Sequence, residues 1–215
     1  MARRAAGTRT TIRCERAAMN APSPDQEDAW EMARLLRGQG AALDRLMERH
    51  GEKLFHYLVR SLGNEEDAAD LAQEAFARVY LHRARFDPAQ RFTTWLYAIA
   101  SNLVRDRYRW RTRHPQVSLD AEGAESGTGL GETLPAADPL PGDDLQREER
   151  AELVRRAVTG LPPELRQPLV LAVYDELPQG EIAAILNCSI KAVETRIYRA
   201  RQHLRAALGG LLPEE

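Results

Sequence analysis

The chain has 215 residues, with 30 Lys+Arg against 32 Asp+Glu, a formal net charge of -2, 43% hydrophobic and 6% aromatic residues. That length suits one large domain or two small ones with real cores, and the near-cancelling charge argues against a uniformly basic nucleic-acid binder. Two cysteines, Cys14 and Cys188, exclude a disulfide scaffold and a Cys-rich zinc site, and without a run of 18 apolar residues no membrane insertion is expected.

Charge is nevertheless laid out in blocks: residues 1–20 carry +4, 21–67 carry -4, 68–113 carry +5, 114–150 carry -7 and 151–215 sum to zero. Residues 1–28 are Arg-rich but lack an apolar h-region, so they read as a disordered extension rather than a secretory signal, and Met19 offers an alternative start. Beyond them apolar spacing is helical throughout and no alternating strand is found. Leu43, Leu46, Met47, Leu54, Leu58 and Leu62 share one stripe that Gly63 ends. Asn64, three residues before Asp67, predicts the N-cap of a second helix. That helix carries Ala68, Leu71, Ala72, Ala75, Phe76 and Val79 and stops near Asp87-Pro88. A third runs from about Phe92 through Trp95, Leu96, Ile99, Leu103 and Val104, completing a helical domain at 29–113.

Residues 114–146 then hold five Gly, four Pro, seven acids and no Lys or Arg. Such a segment lacks the apolar surface to order itself and predicts a flexible acidic linker. Helical spacing resumes at 147–208, through Leu153, Val154, Ala157 and Val158, then Leu165, Leu169 and Val173, then Ile182, Ile185 and Leu186, and finally Val193, Ile197 and Leu204; residues 209–215 form a tail. The fold class is therefore all-α, two small helical domains joined by a flexible acidic linker.

Three constellations carry chemistry. In the last, Glu181–Leu186 forms a short helix, Asn187-Cys188-Ser189 a break, and a long basic helix follows. Ala183 is small where two helices would cross, Asn187 tolerates positive φ in the turn, and Cys188, Val193 and Ile197 supply apolar contacts. This spacing predicts a helix-turn-helix, and its second helix exposes Lys191, Thr195, Arg196, Tyr198, Arg199, Arg201 and Arg205, suited to base edges and phosphates of a major groove. Cys188 itself reads as a small buried hydrophobe. Earlier, Asp67, Asp70 and Glu74 fall at i, i+3 and i+7, an acidic stripe with Gln73 alongside. On the third helix Ala98, Asn102, Arg105 and Arg109 lie opposite the apolar face, with Arg91, Arg107, Arg111 and Arg113 around them, a surface suited to an opened DNA strand. His50, His56 and His82 lack a metal-ligand spacing and read as surface or interface residues.

Leu161-Pro162-Pro163-Glu164-Leu165-Arg166, Glu181-Ile182-Ala183 and Val193–Arg201 resemble region 4 of bacterial sigma factors, and more narrowly those of the extracytoplasmic-function (ECF) group. Asp67–Phe76 is similar to sigma region 2.2, and Phe92–Asn102, with its Thr94-Trp95-Leu96-Tyr97 run, to regions 2.3 and 2.4. The resemblance spans about 38–113 and 147–208. One departure is Pro178, where the family often has a capping Ser or Thr; proline suits a first helical turn, so the fold is expected to survive.

The resemblance implies a promoter-specificity subunit that binds core RNA polymerase, not an enzyme in itself. Asp67, Asp70, Leu71, Gln73, Glu74 and Phe76 would dock on the β′ clamp helices, and region 4 on the β flap. Arg91, Phe92, Thr94, Asn102, Arg105 and Arg109 would face the -10 element, with Asn102 capturing a flipped base. Thr195, Tyr198 and Arg199 would meet base edges of the -35 element, with Lys191, Arg196 and Arg201 toward its phosphates. The linker, like RNA in charge, would enter a polymerase channel. An anti-sigma factor is an expected partner, the expected location is cytoplasmic at the nucleoid, and no cofactor or metal is implied. Two other readings stay open: a free-standing helix-turn-helix regulator, and a metal-dependent helical phosphohydrolase using Glu66, Asp70 and Glu74 at i, i+4 and i+8.

Overall fold

A computed structural model describes residues 22–114 and 143–209. The expectations for residues 1–21, for the linker at 115–142 and for 210–215 lie outside the described residues. Within them there are eight α-helices and no strand: α1 (Pro24–Leu36), α2 (Ala41–Leu62), α3 (Glu65–His82), α4 (Phe92–Arg113), α5 (Asp143–Thr159), α6 (Pro163–Val173), α7 (Gln179–Leu186) and α8 (Ile190–Ala207). None of the described helices is long and apolar enough to cross a membrane.

The first helix corrects the expected boundary at residue 29. Ser23 and Gln26 form a reciprocal capping box, Ser23 Oγ accepting from the Gln26 amide and Gln26 Oε1 from the Ser23 amide, and Pro24 supplies the pre-set φ of a first turn. Residues 24–28 are therefore helical, a signal hidden because the apolar contribution of α1 is only Met32 and Leu35. Its remaining anchor is polar: the fully buried Asp28 accepts from His50 Nε2 at 2.8 Å and pairs with Arg49. His50 is thus a buried residue rather than the surface group expected. Burial raises the Asp28 pKa, but the hydrogen bonds and charges of His50 and Arg49 outweigh it and hold the carboxyl below 3.8.

On α2 the buried row is Ala42, Leu46, Leu54, Leu58 and Leu62, together with Tyr57, whereas Met47, expected in the stripe, points outward. Tyr57 donates or accepts a 2.8 Å bond with Ser101 Oγ, and burial pushes its phenol up to about 12. Gly63 ends α2 at φ 72°, a left-handed position that glycine occupies without strain. Asn64 then caps α3, its Oδ1 accepting from the Asp67 amide at 2.8 Å as the spacing predicts. The helix ends at His82, before the expected Asp87-Pro88, in a single 3₁₀ turn at Arg83–Arg85. Phe86, Phe92 and Trp95 close that corner, Phe92 edge to face with each of the others and Phe86 tilted against Trp95, which leaves Trp95 packed against the core rather than offered for stacking.

The second half follows the predicted helix-turn-helix closely. Pro178 stands one residue outside α7 as its N-cap, and its carbonyl accepts from Glu181 and Ile182, so the missing capping hydroxyl is tolerated. Asn187 adopts φ 50° and ψ 55°, and the Cys188 amide bonds back to Ala183 O at 3.0 Å. Ser189 Oγ caps α8 through the Ala192 amide. Cys188 is partly buried against the core, and its Sγ accepts from Arg196 Nη1 at 3.6 Å.

Two outcomes are expected. Asp28→Asn should cost about 2 kcal/mol at pH 7. Because the folded pKa of Asp28 is lowered, that contribution is present above pH 3.8 and lost as pH falls through the folded value; urea melts at pH 7 and pH 3 should therefore show the wild-type advantage shrinking. In the turn, Asn187→Gly should be neutral within about 0.5 kcal/mol, whereas Asn187→Val should lower stability by about 1–2 kcal/mol in the same assay.

Candidate nucleic-acid and polymerase interfaces

On α8, Lys191, Thr195, Tyr198, Arg199 and Arg201 are exposed, Tyr198 at 64%, as the spacing predicts. Arg196 is half-buried beside Cys188, at the edge of that face rather than on its crest. Val193, Ile197 and Ala200 are buried against the rest of the second half, which fixes the rotation of the helix.

On α3 the acidic stripe divides. Asp70, Gln73 and Glu74 are exposed, Glu74 in an i,i+4 pair with Arg78 at 2.6 Å. Asp67 instead lies between two arginines of α4, pairing with Arg107 at 2.6 Å and with Arg111, and so fastens α3 to α4. Leu71 and Phe76, expected as docking side chains, are each 3% exposed in the core. Their spacing was that of the buried face, and a surface role for them is corrected accordingly. Among the described residues no group of three or more His, Cys, Asp or Glu converges as a metal site. Glu66, Asp70 and Glu74 find no second acidic helix opposite them.

On α4, Asn102, Arg105 and Arg109 lie together on one face. Asn102 is exposed and its Oδ1 accepts from Arg105, while Arg109 pairs loosely with Asp106 at 3.7 Å. Phe92 is buried in the aromatic corner. Arg91 and Thr94 are occupied by the second half of the chain: Arg91 Nη1 and Thr94 Oγ1 both donate to the Glu181 carboxylate, at 2.8 and 2.7 Å, and Arg91 Nε donates to Asp25 at 3.0 Å.

This contact belongs to a continuous seam between the halves. Tyr97 OH donates to Asp175 at 2.9 Å, and the Arg60 guanidinium lies over the Tyr174 ring, 4.4 Å from its centre. Burial raises the Asp175 pKa against the opposing pull of Tyr97, Arg60 and Lys53. At the centre the buried Arg166 donates to Ser61 O at 2.8 Å, Tyr108 OH at 2.6 Å, Leu161 O at 2.8 Å and Thr159 O. Tyr108 in turn donates to Ser61 O at 2.7 Å. Among the described residues no carboxylate partners Arg166, and burial lowers its pKa. None of these seam roles was expected from the sequence. The available signal was a polar pair of letters, Arg166-Gln167, inside the apolar run of α6.

An exposed acidic helix in one half and a helix-turn-helix with an exposed basic face in the other define a two-part protein, all-helical among the described residues, with the frame of a DNA-binding domain. Residues 46–114 match the family Sigma-70 region 2, and residues 151–204 match Sigma-70, region 4. The chain is 37% identical over 176 residues to the ECF RNA polymerase sigma factor SigW of Bacillus subtilis, covering 81% of this chain and 93% of that protein. It is 36% identical over 189 residues to the RNA polymerase sigma factor CnrH of Cupriavidus metallidurans, covering 86% and 96%, and 33% identical over 173 residues to the ECF RNA polymerase sigma-E factor of Escherichia coli, covering 79% and 87%. Among solved structures, CnrH in complex with the cytosolic domain of CnrY aligns with TM-score 0.60 and 29% identity over 86% of this chain and 98% of that one. RpoE of Bartonella quintana in complex with the anti-sigma factor NepR has the same TM-score at 20% identity, covering 77% and 96%, a likeness of fold. The chain belongs to the sigma-70 family and is an ECF-type sigma factor.

The seam yields its own expectation. Glu181→Ala removes the carboxylate that holds Arg91 and Thr94, a partly exposed pair worth about 1 kcal/mol. The equilibrium should shift roughly fivefold toward separated halves, read as a lower-transfer population in single-molecule energy transfer between dyes on α3 and α8.

Proposed function

We propose that this chain binds core RNA polymerase, directs it to promoters and initiates transcription there, with polymerase supplying all catalysis. The observation that carries the reading is the presence, in one chain that matches both sigma regions, of an exposed acidic helix on the first half and an exposed basic recognition helix on the second.

On α3, Asp70, Gln73 and Glu74 offer the surface for the β′ clamp helices, while Asp67 acts by holding α3 on α4 and Leu71 and Phe76 by setting its rotation. The second half engages the β flap and presents α8 to the -35 element. Thr195, Tyr198 and Arg199 meet base edges, where a bidentate Arg discriminates guanine, and Lys191, Arg201 and the half-buried Arg196 hold phosphates. On the first half Arg105 and Arg109 attract the opened strand, and Asn102 reads an extruded -10 base. Extrusion costs a few kcal/mol, so Asn102 must be rigidly mounted, as its place on α4 allows. Phe92 supports that surface from beneath. Arg91 and Thr94 join it once Glu181 lets go, so the isolated chain binds promoter DNA weakly and polymerase, by separating the halves, completes the site. An anti-sigma factor is the expected regulatory partner, and the chain works in the cytoplasm at the nucleoid. A free-standing helix-turn-helix regulator would leave the acidic face of α3 without a task.

Pull-down with core polymerase and run-off transcription test the reading directly. The double variant Asp70→Arg/Glu74→Arg should retain its helicity and lose at least tenfold in core affinity; undiminished core binding would remove α3 from the interface. Arg199→Ala in holoenzyme should lose about 1–3 kcal/mol of binding and relax base preference at a single -35 position, measured by competition between promoter variants.

A further inference from the structure

The seam leaves a cleft of about 660 Å³ between α4 on one side and α6, the α7–α8 turn and α8 on the other, within the range of small-ligand sites. Arg105, Arg109 and Arg113 line one wall at successive turns of α4, and Arg196 lines the other. Glu164 is the one carboxylate among the lining residues, so four guanidiniums face one acid. Among the described residues Arg109 alone of the four pairs with a carboxylate, Asp106 at 3.7 Å. Arg105 is held by Asn102 and the Ser101 carbonyl, Arg113 by the Arg109 carbonyl, and Arg196 by the Cys188 thiol, all neutral acceptors.

A second feature, independent of charge, marks the same place. Gln167 lines the cleft and is 3% exposed, yet its Nε2 has no acceptor within the described structure. A buried amide donor without a partner carries a desolvation cost that a bound acceptor would offset. Four guanidiniums on two walls, three of them without a carboxylate partner among the described residues, and an unsatisfied donor on a lining residue call for a ligand with several negatively charged oxygens. Planar guanidinium matches phosphate oxygens two at a time.

We infer that this cleft binds a small ligand carrying an oligophosphate chain, either an inorganic oligophosphate or a nucleoside polyphosphate, with Arg105, Arg109 and Arg113 on one side, Arg196 on the other and Gln167 donating beneath. Such a ligand touches both halves and therefore holds them together. It also neutralises arginines from both DNA-facing surfaces, so its binding opposes promoter engagement.

Calorimetric titration of the full chain with inorganic tripolyphosphate, and in parallel with ATP and GTP, tests this at about 0.15 M salt, where diffuse surface attraction is screened. One saturable site is expected. Gln167→Leu and Arg113→Ala should each weaken it at least tenfold, while Arg201→Ala, which removes an equal charge from the outer face of α8, should leave it within twofold. Equal affinity for tripolyphosphate and nucleotides identifies the phosphate chain as the recognised group; tighter nucleotide binding identifies a nucleotide. Gln167→Leu replaces an unpartnered buried amide, so its urea midpoint should equal or exceed the parent's, which separates lost binding from lost folding. Absence of saturable binding, binding of oligonucleotide but not tripolyphosphate, or equal loss in Arg201→Ala and Arg113→Ala would each overturn the assignment.

Discussion

A guanidinium taken out of water has to be repaid with hydrogen bonds, and the acceptors that Arg166 finds through Nη1 and Nη2 are all neutral oxygens, while its Nε has no partner among the described residues. Ser61 O lies at the end of α2, Thr159 O at the end of α5 and Leu161 O just beyond it. These are the carbonyls that a helix leaves unpartnered at its C-terminus, where the summed peptide dipoles are negative. One cation thus satisfies several orphan acceptors at once, and because the acceptors come from both halves of the chain, the two domains share one buried polar centre. Tyr108, bridging Arg166 and Ser61 O, ties α4 into the same cluster.

The rest of the seam is organised around that centre. The pairings at its edge, Glu181 with Arg91 and Thr94, and Asp175 with Tyr97, rest on fewer hydrogen bonds than the central cluster, and the Arg91 side chain is half exposed. A hierarchy of this kind lets the edges release before the middle. Release of Glu181 frees Arg91 and Thr94, which the proposed function places at the -10 element, and the near-neutral charge of the whole chain acquires a structural meaning: Arg91 is matched by an acid of the second half, and Arg107 and Arg111 by Asp67.

Much of this molecule could be read from its letters. The stop at Gly63, the cap at Asn64, the turn at Asn187 and the basic face of α8 follow from local chemistry, because each depends on residues within a turn or two of chain. The core-facing row of α2 was recovered only in part, since Met47 and Leu46 are adjacent in sequence and only packing decides which turns inward. What could not be read was everything that depends on tertiary neighbours: the burial of His50 by an Asp28 contributed from α1, the diversion of Asp67 to Arg107 and Arg111, and the use of Glu181 and Arg166 across the seam. Leu71 and Phe76 show the same limit from the other side. A periodic apolar residue beside an acidic stripe serves the interior and the partner surface equally well on paper, and only burial separates the two.

Gly63 has a second constraint beyond its backbone angle. A Cβ built there would meet Thr159 Cγ2 at 2.9 Å, so the residue that closes the last turn of α2 also sets the clearance to the second half. The position therefore works as a spacer of zero thickness. A side chain larger than hydrogen would act as a shim between the halves, pressing on the Thr159 methyl group from across the seam.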